Sequence, residues 1–145
     1  MQALIGGALY FALVFVAAFA LGAVRTFWVT PALGETAAVA AEAPFFVGAA
    51  YFAARFTLRR IAVARTAPSL FAMSAFGLVL QQAAELMLVL RAGETLTQHA
   101  DYLSTPAGMI YVALLVIFFV MPWLVRKTKS AARRGAALRD LDQSR

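Results

Sequence analysis

The sequence of 145 residues contains no cysteine and only one histidine, His99. The absence of cysteine excludes disulfides, thiolate metal sites and cysteine nucleophiles. A single histidine excludes haem held by two histidines of one chain, and a zinc site would need further ligands beside it. The sequence has no glycine-rich phosphate-binding loop, HExxH pair or nucleophile elbow. We therefore expect no metal and no cofactor, and we interpret His99 as a solvated loop residue.

Charged residues are also scarce. They make up 14% of the sequence, against about 25% in soluble domains, while hydrophobic residues make up 63%. A soluble domain of this length cannot bury so much apolar surface, because small domains keep much of their area exposed. The excess must face lipid, so length and composition predict a single-domain integral membrane protein.

Four apolar segments follow one another along the chain, each near or above the ~20 residues that span the hydrocarbon of a bilayer. The first has no Lys or Arg before it and is longer than the core of a signal peptide, so we interpret it as a membrane span. The pattern predicts an all-α, integral membrane four-helix bundle, followed by a basic cytoplasmic tail at 126–145. The predicted helices cover about residues 3–24, 35–58, 67–90 and 106–125.

Proline, glycine and tryptophan mark the expected ends of two helices. Pro31 and Gly34 predict that the first helix has ended and that a turn lies between them. Pro122 and Trp123 predict the end of the fourth helix. Since tryptophan is enriched at both membrane–water interfaces, we expect Trp28 and Trp123 to anchor the protein at opposite surfaces.

The basic residues are divided very unequally between the two sides of this bundle. Only Arg25 and Arg91 lie on the side of the first and third connections. By the positive-inside rule, both termini are expected in the cytoplasm, and the positive charge is interpreted as a topology signal and not as a nucleic-acid site. The eleven residues on the side of the termini are Arg55, Arg59, Arg60, Arg65, Arg126, Lys127, Lys129, Arg133, Arg134, Arg139 and Arg145.

The third segment carries a polar stripe. Ser74, Gly77, Gln81 and Glu85 are spaced by 3, 4 and 4 residues, which places them on one face of a helix. Polar groups inside a membrane seldom face lipid. We therefore expect this face to point into the bundle.

Several charged residues are expected at similar depth, in the periplasmic half of the membrane. Glu85 lies roughly 7–8 Å and Glu42 roughly 10 Å inside their helices, and Arg25, Arg91 and Glu35 lie near the same surface. In one interpretation the carboxylates pair with Arg25 or Arg91 and clamp the helices together. In the other, a carboxyl group is protonated, and a polar cavity binds a cation, a proton or a lipid headgroup. The candidate site comprises Glu85, Glu42, Gln81, Arg25, Arg91, Glu35 and Ser74.

A set of residues covering most of the chain suggests a relationship: Arg25, Trp28, Pro31, Gly34, Glu35, Glu42 and Pro44, then Ala84, Glu85 and Leu86, then Thr105, Pro106, Ala107 and Gly108. In these residues the chain resembles a group of small uncharacterised bacterial inner-membrane proteins with four predicted helices. The resemblance implies a bacterial source and no particular activity.

Three functions fit these features. The favoured one is a small, non-enzymatic inner-membrane subunit or binding protein whose polar core holds a ligand or a partner helix. The second is a small proton- or cation-linked transporter that uses Glu42 and Glu85, as an oligomer. The third is a lipid-modifying enzyme with Glu85, Glu42 and Arg25 in its active site, although no catalytic motif is recognised. The expected partners are membrane lipids, other membrane subunits or a second copy of the chain.

Overall fold

The computed structural model describes the backbone of residues 1–143 and the side chains of residues 1–126. Within that part the chain is helical and contains no strand. A π-helical turn, Arg25–Val29, joins the first two helices. The six α-helices are α1 (Gln2–Val24), α2 (Thr30–Leu33), α3 (Glu35–Arg60), α4 (Ala67–Arg91), α5 (Leu96–Leu103) and α6 (Pro106–Gln143).

Four helical stretches of the described chain are long and apolar enough to cross a membrane: Gln2–Leu33, Glu35–Arg60, Ala67–Arg91 and Pro106–Arg126. Their outer faces carry large apolar side chains that are mostly exposed, such as Phe19, Phe45 and Phe52. Contiguous exposed apolar surface of this kind marks contact with a membrane or another apolar partner. The predicted four-helix, all-α membrane architecture is confirmed at this level.

The long helices form two hairpins that pack face to face. One hairpin is α1 with α3, and the other is α4 with α6. Across the two hairpins, α1 packs against α4 and α3 packs against α6, so that neighbours from different hairpins run in the same direction. The consecutive helices α3 and α4 occupy opposite corners, and residues 61–66 cross one end of the bundle to connect them. We call this the linker end, and the opposite end, formed by residues 25–35 and 92–105, the cap end.

The linker half of the bundle is tightly packed. Tyr10 is fully buried, its ring stacks on Phe118 with centroids 4.5 Å apart, and its hydroxyl donates to the backbone oxygen of Phe118 at 2.8 Å. Leu70 and Met73 are also fully buried beside them. These side chains close the bundle toward the linker end.

The parallel helices α1 and α4 touch at one level and separate at another. A Cβ placed on Gly7 would lie 2.6 Å from the backbone oxygen of Met73, so the two backbones meet where only glycine fits. A Cβ placed on Gly22, four turns farther along α1, would meet no described atom within 4 Å. The gap between α1 and α4 therefore widens toward the cap end.

Two of the predicted helix ends differ from the structure. Pro31 does not interrupt the helix, because it occupies the first turn of α2, where its missing N–H costs nothing. The break comes at Gly34, whose φ of +78° favours glycine. Pro122 lies inside α6, which continues to Gln143, so this proline does not mark the end of the helix as predicted. The side chains of the basic tail, after Arg126, lie outside the described residues.

The connection at 91–105 was expected to be a loop, but it contains α5. The helix begins with a capping box, in which the backbone N–H of Gln98 donates to Thr95 Oγ1 and that of Thr95 donates to Gln98 Oε1. The following helix starts at Pro106, as expected, with the backbone N–H of Gly108 donating to Thr105 Oγ1 at 3.1 Å. A Cβ on Gly108 would collide with the backbone oxygen of Tyr102, so glycine lets α5 lie close against α6.

Trp28 and Trp123 are near opposite ends of the bundle but differ in their surroundings. Trp28 is 70% exposed within the π-helical turn. Trp123 is half-buried and packs against the hydrophobic core. Of the two tryptophans, Trp28 is thus the one that projects from the bundle.

Candidate functional site

A cavity of about 830 Å³ occupies the cap half of the bundle, where α1 and α4 have separated. All four long helices and α5 contribute residues to it. Its volume lies in the range of about 300–1,000 Å³ that is typical of sites for small molecules. The packed core around Tyr10 and Phe118 lies beneath it.

The walls of the cavity are mainly apolar. Four phenylalanines and three leucines dominate them, namely Phe15, Phe19, Phe27, Phe46, Leu88, Leu114 and Leu115. Gly22 also lines the cavity, and its missing side chain leaves space on the α1 side. A surface of this composition fits a hydrocarbon or aromatic group and offers it no hydrogen bond.

An ion pair lies at the polar rim. Arg25 Nε is 2.8 Å from Glu42 Oε2, and the two side chains are 27% and 16% exposed. Arg25 opens the π-helical turn, a type of distortion that is frequent at functional sites. The structure therefore contains the predicted pairing with Arg25. Arg91 is exposed and lies outside the cavity lining, whereas Glu35 is exposed but lines the cavity mouth.

The second carboxyl group has a different partner. Glu85 is half-buried in the cavity wall and accepts a hydrogen bond from the hydroxyl of Tyr111 on α6. The same hydroxyl is 3.1 Å from Gln82 Oε1. A hydroxyl has a single hydrogen, so it satisfies only one of these two acceptors at a time.

The polar stripe of α4 is divided between the cavity and the core. Gln81 lines the cavity and is only 7% exposed, and its Oε1 has no hydrogen-bond partner among the described residues. Ser74 is fully buried two turns nearer the linker end, outside the cavity, and its Oγ likewise has no partner in the described part of the chain. A buried acceptor without a partner is costly, at about 1–3 kcal/mol, and calls for an explanation. At Gln81 that explanation can be a ligand, because the side chain borders open space.

Helix α5 closes part of the cavity mouth with Gln98, His99 and Tyr102. Burial raises the pKa of the Tyr102 hydroxyl, an effect that Arg25 opposes and the Glu35, Glu85 and Glu42 carboxylates reinforce. The hydroxyl therefore stays protonated at neutral pH and can donate a hydrogen bond at the mouth.

Among the residues whose side chains are described, no group of three His, Asp or Glu residues could hold a metal ion. The polar rim consists of hydrogen-bonding and charged groups around an apolar space.

The structure thus brings together Arg25, Glu35, Glu42, Gln81 and Glu85, five of the seven candidates, and leaves out Arg91 and Ser74. Six polar lining residues were not among the candidates, namely Thr26, Glu94, Gln98, His99, Tyr102 and Tyr111. The Thr95-x-x-Gln98 spacing is a capping-box signal that would have placed Gln98, His99 and Tyr102 on a helix. Tyr111 could have been noticed as a hydroxyl near the start of an otherwise apolar span.

Comparison with protein-family models, characterised proteins and solved structures finds no match to this chain. The function of the chain is therefore inferred from the residues that form the cavity.

Proposed function

We propose that this chain is a small, multi-pass, non-enzymatic binding protein of the bacterial inner membrane, and that its cavity holds an amphiphilic small molecule. The observation that supports this is the division of the cavity into apolar walls and a polar rim, with a lining residue, Gln81, whose Oε1 has no hydrogen-bond partner among the described residues. An amphiphile has the same division, with an apolar body and a polar head.

The polar rim has to supply the selectivity. Inside a bilayer, lipid tails are as apolar as Phe or Leu, so burying a hydrocarbon chain in the cavity gains little over leaving it in lipid. A buried polar group, in contrast, destabilises the folded protein unless it is hydrogen-bonded. Binding is favoured when a head group supplies the partner that Gln81 lacks.

The closed base of the cavity favours binding over conduction or transport. Tyr10 and Phe118 are fully buried and in contact, and they block the route from the cavity to the linker end. A transporter would have to separate this pair and its surrounding core in each cycle. A site that opens toward one end and is closed at the other serves a binding protein without such a change.

We further propose that both termini are cytoplasmic, which places the cavity in the periplasmic half of the membrane. The support is the distribution of basic residues, with eleven on the side of the termini and two on the other. The chain has no cysteine, so single cysteines can report on each side. Ala100 on α5 and Ala64 in the linker are both exposed and suit a matched pair of substitutions.

In intact spheroplasts, a maleimide that does not cross membranes should label Ala100→Cys at once. It should label Ala64→Cys only after permeabilisation. The opposite pattern would reverse the orientation, and labelling of both before permeabilisation would contradict the four-span topology.

The binding function is tested with a variant that fills the cavity. Gly22 lines the cavity and Gly48 does not, and a Cβ at either position would meet no described atom within 4 Å. Gly22→Phe should therefore occupy the cavity, while Gly48→Phe is a matched control. Each protein is purified in a non-ionic detergent and mixed with hexadecylamine, hexadecanol and hexadecanoic acid, and native mass spectrometry counts the molecules bound.

The wild type and Gly48→Phe should retain one molecule of at least one of the three amphiphiles per chain, and Gly22→Phe should retain none. The proposed function is wrong if the wild type binds none of them, or if Gly22→Phe binds as much as Gly48→Phe.

A further inference from the structure

We infer that the head group selected by this cavity is a cationic amine, held by Gln81, Glu85 and Tyr111. The inference rests on the proposed function and adds the chemical class of the ligand. It follows from the available hydrogen-bond acceptors and the excess of carboxyl groups over guanidinium groups around an otherwise apolar space, so it can be tested separately from binding as such.

The charged groups that line the cavity are unequal in number. Four carboxyl groups, from Glu35, Glu42, Glu85 and Glu94, face one guanidinium, from Arg25. That guanidinium is already paired with Glu42 at 2.8 Å. The remaining carboxyl groups lack a cation of their own within the cavity lining, so a cationic ligand would complement the site and an anionic one would meet like charge.

Acceptors that can receive a further hydrogen bond also lie deeper in the cavity. Gln81 Oε1 has no partner among the described residues, and Glu85 receives a hydrogen bond from Tyr111. The Tyr111 hydroxyl uses its single hydrogen on Glu85 or Gln82, which leaves its own oxygen free to accept. A primary ammonium has three donors and no acceptor, and therefore matches this arrangement.

The spacing of the acceptors suits one small head group. Gln81 and Glu85 are four residues apart on α4, so they lie on the same face, separated by roughly 6 Å along the helix axis. An ammonium between them can reach both side chains. Hydrogen bonds in which the donor or acceptor is charged are also about twice as strong as neutral ones.

The apolar body of such a ligand has a route to the surrounding lipid. The widened gap between α1 and α4 is lined by Phe19 and Leu88, which are 61% and 45% exposed. Both side chains therefore belong to the cavity and to the outer surface of the bundle. A hydrocarbon chain can pass between them while its head remains at the rim.

The test uses the three sixteen-carbon amphiphiles at equal concentration, because they differ only in the head group. In native mass spectra of the wild type, bound hexadecylamine should exceed hexadecanol by about tenfold or more, as one added hydrogen bond to a charged group implies. Hexadecanoic acid should bind no better than hexadecanol. The ratio of bound amine to bound alcohol in the wild type tests the inference by itself, even if the variants do not fold.

Two charge-neutralising variants show which carboxylate is responsible. Glu85→Gln removes a carboxylate from the cavity, whereas Asp101→Asn removes one from the exposed surface of α5, outside the lining. Glu85→Gln should bring the ratio of amine to alcohol down to near one, with hexadecanol still bound. Asp101→Asn should leave the ratio unchanged.

The inference fails, and the proposed function survives, if all three amphiphiles bind equally to the wild type and Gly22→Phe removes them. It also fails if hexadecanoic acid is preferred, or if Asp101→Asn lowers the ratio as much as Glu85→Gln does. Both proposals fail if no amphiphile binds, including the case in which the chain is a dimer whose second copy fills the cavity.

Discussion

The contact between α1 and α4 at Gly7 gives the sharpest stability prediction. A Cβ at this position would lie 2.6 Å from the backbone oxygen of Met73 and 3.3 Å from the backbone nitrogen of Gly77. Both atoms belong to the backbone of a helix, so neither can move aside as a side chain would. Gly7→Ala must therefore push α1 away from α4, where Tyr10 and Met73 are fully buried.

Overpacking of this kind costs about 1–3 kcal/mol. Alanine also favours a helix over glycine by about 1 kcal/mol, which hides part of the loss. Gly48→Ala is a control that cancels this contribution, because it lies within α3 and its Cβ would meet no described atom within 4 Å. The difference between the two variants should therefore equal the overpacking alone, about 1–3 kcal/mol.

The measurement is equilibrium unfolding of both variants in mixed micelles of a non-ionic detergent and dodecyl sulfate, followed by circular dichroism. Gly7→Ala should unfold at the lower fraction of dodecyl sulfate. If the two variants unfold together, the close approach of α1 and α4 does not exist, and the separation of these helices at the cap end loses its support.

Three further substitutions test the polar rim by the same unfolding assay. Glu42→Gln leaves the partly buried Arg25 without its partner and should lower the free energy of unfolding by about 1–3 kcal/mol. The loss should be smaller than for a fully buried pair, because solvent reaches both side chains. If Glu42→Gln lowers the free energy of unfolding equally in an Arg25→Gln background, the pair contributes nothing. Tyr111→Phe removes the donor to Glu85 and should cost about 1–2 kcal/mol; unchanged stability would mean that this hydrogen bond is not formed. Gln81→Leu removes a buried acceptor without a partner and should raise the free energy of unfolding by about 1 kcal/mol. It should also abolish the preference for the amine. A lower free energy of unfolding would show that Oε1 has a hydrogen-bond partner in the protein.

The long helices could be predicted because their signals are local. Each span has a run of apolar residues, and the start of α6 follows from Thr105 and Pro106, which a first turn accepts at low cost. The end of α6 could not be placed from Pro122, because a proline inside a membrane helix is tolerated when neighbours pack around it, and here it is fully buried.

The candidate site was predicted in part for a similar reason. The periodicity of α4 places Gln81 and Glu85 on its inner face, and both line the cavity. Depth alone does not specify partners, however. Arg25 and Arg91 were equivalent by depth. The structure distinguishes them because Arg25 opens the π-helical turn that follows α1, whereas Arg91 lies at the exposed end of α4. Whether Tyr111 lines the cavity depends on how α6 is rotated against α4, and no local sequence pattern encodes that rotation.

The internal pairing of each hairpin has a consequence for biogenesis. Glu42 finds Arg25 within the first hairpin, and Glu85 finds Tyr111 within the second. Each hairpin can thus insert into the bilayer with its acidic side chain already paired or hydrogen-bonded, before the rest of the chain is synthesised. What remains is a lateral association of two preassembled units in lipid, which can be driven by backbone proximity and side-chain packing. The cavity, which takes residues from both hairpins, forms only at that last step, so a molecule bound in it would also report that the two units have joined correctly.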